Sequence, residues 1–168
     1  LYPVVIITPT DSDLIKEGSE FRRKFIDSII SQYNRRYLDD LISYNKALAQ
    51  RNKLLKYFHL ERTFDADSLE IWDLKLVELG IRIFKERESF IKKFEPLFMD
   101  LYKDICGGVE VAGLSYHSQL KDQDMMTLLQ QNLDKDRVLQ RTTVGIHKDD
   151  LLFKINDFPL KKFGSQGQ

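Results

Sequence analysis

Cysteine is nearly absent from this sequence: one occurs in 168 residues, which excludes a framework of internal disulfide bonds. That residue, Cys106, stands before Gly107 and Gly108, where we expect a small apolar side chain near a helix end, in a reducing compartment. Net charge is also lacking, because 26 basic residues balance 26 acidic ones. No global field therefore draws the chain to nucleic acid or membrane, and any such binding must come from a local patch.

Long apolar runs and familiar catalytic motifs are missing as well. No run approaches the ~20 apolar residues of a membrane-spanning helix, so we expect no membrane association. The patterns G-x-x-x-x-G-K-[ST], G-x-G-x-x-G, G-x-S-x-G and C-x-x-C do not occur. The residues alone offer no complete catalytic constellation, and we predict neither catalytic residues nor a resident metal.

Helix-breaking residues are scarce between Asp67 and Ile105, where only Gly80 and Pro96 interrupt the pattern. Apolar residues recur there in steps of three and four, which predicts a long helix lying against another helix. We expect a kink or break near Phe94 and Glu95, because proline removes a backbone donor and clashes with the preceding turn. The predicted seam contains Leu69, Trp72, Leu76, Leu79, Ile83, Phe90 and Leu97, and a wider stripe contains Val77, Phe84, Ile91, Phe94, Phe98 and Leu101.

The partner helix is expected after a bend at Asn34, itself preceded by a helix that starts near Ser19. Its apolar face has the same spacing, interrupted by Arg51 where an apolar residue is due. The short connection from Tyr57 to Ala66 makes the two helices antiparallel, a hairpin ~30 Å long. The residues of this face are Tyr37, Leu41, Tyr44, Leu48 and Leu55.

The remaining segments predict a small β element. Before the hairpin, Val4 to Ile7 reads as a buried strand followed by a polar loop. After it, the sequence predicts a weak edge strand, one helix, two further strands and a turn at 156–157 into residues 158–163. The predicted fold class is α+β, mainly helical, with a long antiparallel helical hairpin as an arm. The predicted later elements are a strand from Val109 to Tyr116, a helix from Lys121 to Leu139 with Val138 on its apolar side, and strands at Arg141–Val144 and Leu151–Ile155.

The densest polar cluster is His147, Lys148, Asp149 and Asp150. Such residues suit a metal site or a general acid and base, which would make the chain a metal-dependent hydrolase. Adjacent residues on a strand cannot all face one ion, however, and no second cluster has matching spacing. We therefore favour a structural or nucleotide-adjacent loop.

Charge is uneven along the first part of the hairpin, with nine basic and three acidic residues between Arg22 and Phe58, a local charge of +6. One interpretation is that the two arms of the hairpin complement each other, since the second helix is acidic on balance. The other is a phosphate-contacting face. For that face we single out Arg22, Arg23, Arg35 and Arg36 as DNA-binding residues.

The last residues, 163–168, match the Leu-Ser-Gly-Gly-Gln signature of ABC-type ATPases at Ser165, Gly167 and Gln168. Four further motifs precede it in a recognisable order and spacing. With them the whole chain closely resembles the RecF family of bacterial recombination-mediator ATPases, which are SMC-like ABC ATPases. The four motifs are Gly18-Ser19-x-x-Arg22-Arg23-x-Phe25-Ile26-Asp27, Tyr44-Asn45, Gln50-Arg51-Asn52 and Gly145-x-His147-Lys148-Asp149-Asp150-Leu151.

The resemblance implies the middle of a longer protein, with the Walker A loop before Leu1 and Walker B after Gln168. Residues 1–18 would end the head's sheet and include a Q-loop-like segment, where Pro9 and Asp11 stand and Thr10 replaces the usual Glu. Residues 19–106 would be the helical arm. Residues 107–168 would return to the head and lead to the signature helix.

For the site, the resemblance implies that Ser165, Gln166, Gly167 and Gln168 contact ATP held by the other subunit of a dimer. The physical basis is general, because a Gly-flanked serine that opens a helix presents backbone N–H groups and a hydroxyl to a phosphate. His147, Lys148, Asp149 and Asp150 would be nucleotide-adjacent, with Lys148 in place of the usual Arg. ATP and Mg²⁺ are thus expected in the longer protein, and no bound cofactor or ATPase activity in this chain alone.

The implied function is ATP-dependent, dimerisation-coupled binding to double-stranded or gapped DNA, which helps load recombinase at gaps or stalled forks. Partners would be RecR and other proteins of the RecO pathway. The location would be cytoplasmic and nucleoid-associated, and the protein would take part in the SOS response. A different class of function stays open: a non-enzymatic helical module whose hairpin docks a protein. A Walker A motif upstream and a Walker B strand downstream would distinguish the two.

Overall fold

The structure, a computed structural model, describes residue 14, residues 17–156 and residues 158–160. Three helices come first: α1 at Ser19–Tyr33, α2 at Arg35–Glu61 and α3 at Ala66–Cys106. The predicted strand at Val4–Ile7, the Q-loop-like segment and the signature residues lie outside the described residues. None of the helices in the described part of the chain is long and apolar enough to cross a membrane.

Helices α2 and α3 form the expected antiparallel hairpin. Side-chain contacts between them join Asn34 with Glu86, Asp40 with Arg82, and Arg51 with Asp73, so position rises along one helix as it falls along the other. Local capping sets the bounds. The Asn34 side chain accepts from the Tyr37 N–H at 3.1 Å, and the Asp65 side chain accepts from the first N–H groups of α3. Between them Arg62 ends α2 in the left-handed conformation, with a φ of 53°.

Most of the predicted seam is inside, since Tyr37, Tyr44, Leu76 and Ile83 are all buried. The prediction that Leu97 is buried is wrong, because 61% of the residue is exposed. The same holds for Leu101 of the wider stripe, which is 64% exposed. The reason is the length of the partner. Helix α2 begins opposite Glu86, so the last turns of α3 extend past it and keep only the face that packs on the sheet.

The predicted break of the helix near Pro96 is also wrong, because α3 continues through Pro96 to Cys106. The loss of one backbone donor at proline is opposed by aromatic packing on both sides. The rings of Phe90 and Phe94 stack with centroids 5.5 Å apart, and Phe98 meets Phe153 edge to face at 5.7 Å. These contacts hold the helix against the sheet on either side of the proline.

The sheet has three antiparallel strands in the order β1 at Ala112–His117, β2 at Asp150–Ile155 and β3 at Phe158–Pro159. Leu114 pairs with Phe153 in the centre of the β1–β2 ladder. Val109 and Val111 precede β1 and are exposed, so the predicted edge strand starts three residues later than expected.

The predicted helix from Lys121 to Leu139 is interrupted. A 3₁₀ turn at Gln119–Lys121 precedes α4 at Met125–Gln131 and α5 at Leu133–Leu139. Asp124 caps α4 by accepting from the Thr127 N–H, and Asn132 separates the two helices with a φ of −101° and ψ of 7°. Val138 faces solvent with 76% exposed, contrary to the sequence prediction.

The strand predicted at Arg141–Val144 is likewise wrong. The backbone N–H groups of Thr142 and Thr143 donate to side chains, those of Asn52 and Asp136, instead of to a neighbouring strand. These residues belong to a loop, and that loop is the centre of the site described below.

Truncation of the hairpin core tests the assigned face. Leu76 is fully buried, so Leu76→Ala is expected to lower the free energy of unfolding by about 2–5 kcal/mol through lost burial and a residual cavity. Leu74→Ala, on the exposed side of the same helix, is the matched control and should change it by less than about 0.5 kcal/mol. Urea denaturation of both variants gives the comparison. Equal midpoints would mean that the wrong face of α3 has been placed inside.

Candidate functional site

A ten-residue segment, 141–150, lies where the three long helices meet, and it contains the loop after α5 and the first residue of β2. We call it the anchored loop, because each long helix carries one buried arginine that pairs with a carboxylate of this segment or of the helix just before it. These are Arg22 from α1, Arg51 from α2 and Arg87 from α3. A buried guanidinium is costly unless its donors are matched, so the partners of each define the geometry.

Arg51 is fully buried and joins the hairpin to the start of the anchored loop. Its Nε donates to Asp73 at 2.5 Å, and its Nη1 donates to Asp136 at 2.6 Å and to the Thr142 hydroxyl at 3.0 Å. Asp136 also accepts from the Thr143 N–H at 2.8 Å. Burial raises the pKa of Asp73 above its usual range. The arginine that interrupts the apolar pattern of α2 is therefore the residue that fixes Thr142.

Arg87 is 2% exposed and holds the other end of the loop. Its Nη1 donates to the Ile146 carbonyl at 2.9 Å and to Asp149 at 3.1 Å, while its Nη2 donates to Asp27 at 3.0 Å. The Tyr116 hydroxyl donates to the same Asp149 oxygen. Burial raises the pKa of Asp149. Asp149 thus links α3, β1 and the anchored loop.

Arg22 forms a two-pronged ion pair with Asp150, with Nε and Nη2 at 2.7 and 3.0 Å from the two carboxylate oxygens. Its neighbour Arg23 is half-buried and donates to the Asp149 carbonyl at 2.6 Å. The start of α1 therefore binds the start of β2. This pairing explains why cations lie in the first turns of α1, where the helix dipole disfavours them.

His147 is the one member of the polar cluster that binds α2. Its Nε2 lies 3.1 Å from the Thr142 carbonyl, which can only accept, so Nε2 carries the proton. Its Nδ1 then accepts from the Tyr44 hydroxyl at 3.0 Å. Burial lowers the pKa of His147 to about 4. At neutral pH the ring is an uncharged bridge between the loop and the hairpin.

Gly145 is required where it stands. Its φ is +112°, and a Cβ there would lie 2.6 Å from the Met125 methyl carbon and 2.8 Å from the Tyr44 hydroxyl oxygen. Any other residue would strain the backbone and push these two side chains away.

The four polar residues of the sequence cluster diverge instead of converging. His147 contacts Tyr44, Asp149 contacts Arg87, Asp150 contacts Arg22, and Lys148 is exposed. Across the described residues, no group of three or more His, Cys, Asp or Glu side chains could hold a metal ion. The carboxylates of this site thus serve as arginine partners.

The predicted DNA-binding arginines have different surroundings. Arg22 is buried, and its guanidinium donates to Asp150 and to the Glu17 carbonyl; its contact with DNA stays a prediction. Arg35 and Arg36 are exposed at the start of α2, where Arg35 lies 3.5 Å from Asp39. Pro9, Asp11 and residues 165–168 lie outside the described residues.

Sequence reasoning missed several residues of the site. Asp73, Arg87, Tyr116 and Asp136 were not singled out, although all lie on elements that were expected. Asp27 was named only as the last residue of a motif, without a partner. The interruption at Arg51 was a signal, because a buried position with a charge demands a partner. Nothing in the local pattern identified which carboxylates those partners are.

Comparison with known proteins places the chain beside RecF. It is 54% identical over 166 residues to the DNA replication and repair protein RecF of Flavobacterium johnsoniae, covering 99% of this chain and 46% of that protein. It is 43% identical over 166 residues to RecF of Bacteroides thetaiotaomicron, covering 99% and 44%. No family model matches the sequence.

A solved structure of the recombination mediator protein RecF with ATP, in the RecFOR pathway, superposes with a TM-score of 0.90 at 34% identity, covering 98% of this chain and 46% of that one. The resemblance to RecF expected from the motifs is confirmed, as is the mainly helical α+β fold. The chain spans about half the length of the curated relatives it matches.

Removal of a buried arginine tests the anchoring. Arg51→Met should cost about 3–5 kcal/mol of unfolding free energy, because it leaves two carboxylates without their cation in the interior. Arg82→Met is the matched control, since Arg82 also pairs with two carboxylates but is one-third exposed, and it should cost about 1 kcal/mol. Denaturant melts give both values, and equal losses would contradict the anchoring role.

The pH dependence of stability tests His147. The folded chain keeps this ring neutral down to about pH 4, whereas the unfolded chain protonates it near its ordinary pKa of 6.5. The stabilising contribution is therefore complete above pH 6.5 and is lost as the pH falls toward 4, on the order of 3 kcal/mol in total. Between pH 7 and pH 4, the free energy of unfolding of the native chain should therefore fall by that much more than the free energy of unfolding of the His147→Gln variant. A difference that stays constant with pH would contradict the assignment.

Proposed function

We propose that this chain is the arm and signature portion of a RecF-like DNA repair protein. The observation that carries the proposal is spatial: the four motifs that precede the signature, far apart in sequence, meet at the anchored loop. Arg22, Arg51 and the 145–150 motif are in direct contact or share a partner there. Shared motifs that assemble into one packed unit are expected if the chain keeps the architecture of its relatives.

In the longer protein, the proposed activity is DNA binding coupled to ATP-dependent dimerisation, in support of recombinase loading at gaps or stalled forks. RecF is named as a DNA replication and repair protein, and solved RecF chains are described with ATP and an ATP analogue in the RecFOR pathway. By extension we propose RecR and RecO pathway proteins as partners, duplex or gapped DNA as ligand, and a cytoplasmic, nucleoid-associated location.

The nucleotide role of this chain is assigned to Ser165, Gln166, Gly167 and Gln168, with Pro9 and Asp11 in a Q-loop-like segment. A serine between glycines at a helix start can offer a hydroxyl and backbone N–H groups to a phosphate. The phosphate oxygens of ATP would accept from such donors, Mg²⁺ would offset part of the phosphate charge, and this chain would orient the donors.

The anchored loop gives this proposal a mechanical basis. Strand β2 starts at Asp150 and ends at Ile155, ten residues before Ser165. Three arginines tie the start of β2 and the loop before it to all three long helices. The arm and β2 therefore form one rigid body. We expect a movement of the arm to be transmitted directly to β2.

A second candidate is a helical protein-interaction module, favoured by one specific observation. Leu97, Leu101 and Ile105 recur every four residues on α3 and are all more than half exposed. An exposed apolar row of this kind suits a protein partner. This candidate needs no nucleotide, so the experiment below separates it from the first.

Substitution of the signature serine tests the proposed function. Ser165→Arg in the full-length protein should leave folding and ATP binding nearly intact, because the Walker A half of the site is on another segment. ATP-driven dimerisation, and the DNA binding that depends on it, should be lost. The measurement is sedimentation with and without ATP.

Ser43→Arg, an exposed position on α2, is the matched control and should dimerise normally. The alternative role for Ser165 is a helix cap, whose loss costs about 0.5–2 kcal/mol of stability and nothing specific to ATP. A Ser165→Arg protein that still dimerises with ATP, and only melts earlier, would leave the signature assignment without support.

A further inference from the structure

Charge is segregated across the anchored loop. The carboxylates on its inner side and on the adjoining α5 each pair with a buried arginine: Asp149 with Arg87, Asp150 with Arg22, and Asp136 of α5 with Arg51. These acids are therefore neutralised from the inside of the protein.

The outer side carries cations that form no ion pair with any acid in the described part of the chain. Lys135, Arg141 and Lys148 are all exposed. Within the described residues, none of the three forms an ion pair, and the acid next to Lys135 in sequence, Asp134, pairs with Arg137 at 3.6 Å. A protein of zero net charge thus has a locally uncompensated positive surface at this loop.

The contacts of the loop bring these cations together. His147 bonds the Thr142 carbonyl, so the residues next to these two in sequence, Lys148 and Arg141, lie on adjoining parts of the loop. The bonds from Thr143 to Asp136 join the loop to the helix that carries Lys135. Arg23 joins them through its bond to the Asp149 carbonyl.

The electrostatics of Lys148 agree with this grouping. Its pKa lies below the ordinary value, first because of partial burial and then because of repulsion from Arg141, Arg23 and Lys135, with Asp136 opposing from inside. The charges of Arg141, Arg23 and Lys135 therefore reach Lys148.

We propose that Lys135, Arg141 and Lys148, with Arg23 at their edge, form a phosphate-binding surface for the backbone of duplex DNA. We call these four residues the basic patch. The inference rests on the proposed function for the existence of DNA binding, and it adds the location. It also moves the expected contact away from the start of α2, where Arg35 has an acidic neighbour.

The chemistry favours a polyanion over a protein. Lysine is depleted in protein–protein interfaces, whereas lysine and arginine contacts to phosphate supply most of the affinity in DNA binding. The backbone beneath the patch is held by buried ion pairs, and the side chains of Lys135, Arg141 and Lys148 are exposed, so they can follow phosphates. Such contacts position a duplex without reading its sequence.

The test uses the full-length protein with ATP and a fluorescent duplex of about 30 base pairs, titrated at several salt concentrations by anisotropy. Arg141→Gln with Lys148→Gln removes two exposed charges. Loss of two phosphate contacts should make the slope of log affinity against log salt less steep by about two, and weaken binding up to about 60-fold at 0.1 M salt. Different duplex sequences should be affected equally.

Two matched variants remove the same charge elsewhere. Lys92→Gln with Lys93→Gln, on an exposed part of α3, should bind as the unmodified protein does. Arg35→Gln with Arg36→Gln should also change little. A loss confined to the Arg35 and Arg36 variant would overturn the proposal and return DNA contact to the start of α2.

The remaining outcomes are equally decisive. An unchanged affinity and salt slope for the Arg141 and Lys148 variant overturns the proposal while the proposed function stands. If the Arg141 and Lys148 variant loses the binding to poly-glutamate that the unmodified protein shows, but binds DNA unchanged, the proposal is also overturned. The patch would then be assigned to an acidic protein partner. No DNA binding by the unmodified full-length protein, with or without ATP, overturns the proposed function together with the patch. Melting temperatures and ATP-dependent sedimentation of each variant ensure that a change in binding is not a change in folding or assembly.

Discussion

Burial of guanidinium groups is the constraint on which the rest of this structure depends. Arg51 and Arg87 have almost no contact with solvent, and a charge in such a place is tolerated only when several acceptors surround it. Those acceptors come from distant parts of the chain: Asp136 is 85 residues from Arg51, and Asp150 is 128 residues from Arg22. Arg51 Nε and Nη1 and the donors of Arg87 are matched in this arrangement of the helices, the anchored loop and β2, while Arg51 Nη2 has no partner among the described residues. The arginines therefore specify the arrangement, even though apolar residues of similar size could give comparable stability.

The same constraint explains why the outer surface of the loop is positive. Each buried arginine draws a carboxylate inward, so acids that would otherwise offset surface cations are used in the interior. Lys148 follows His147 and precedes Asp149, yet these two neighbours are directed to Tyr44 and Arg87. An alternation of charge in the sequence becomes a separation of charge in the fold. The formal neutrality of the chain conceals that separation, since a sum over residues contains no information on direction.

Sequence reasoning succeeded where the physics is local or periodic. The three-four spacing located the hairpin because the same period governs burial on both helices, and the bend at Asn34 followed from its capping side chain. It failed where tertiary contacts outweigh local preference. Pro96 is retained within α3 because aromatic packing on both sides keeps that helix against the sheet, and Thr142 and Thr143 leave the predicted strand because Asn52 and Asp136 take their N–H groups. The polar cluster at 147–150 was located correctly, but its partners on α1, α2 and α3 have no period that could reveal them.

The contrast between exposed and buried cations also accounts for a departure from the family pattern. At Lys148 the resemblance leads one to expect arginine, whose planar fork suits two-pronged pairing. Arg22 uses that fork on Asp150, and Arg51 and Arg87 each divide their donors among several fixed acceptors, so lysine could not replace them. Lys148 is exposed and has no fixed acceptor in the described part of the chain. A mobile phosphate needs only positive charge within reach, which an ammonium supplies as well as a guanidinium does. A substitution that would be disruptive inside the site is therefore compatible with a phosphate-contacting role at its surface.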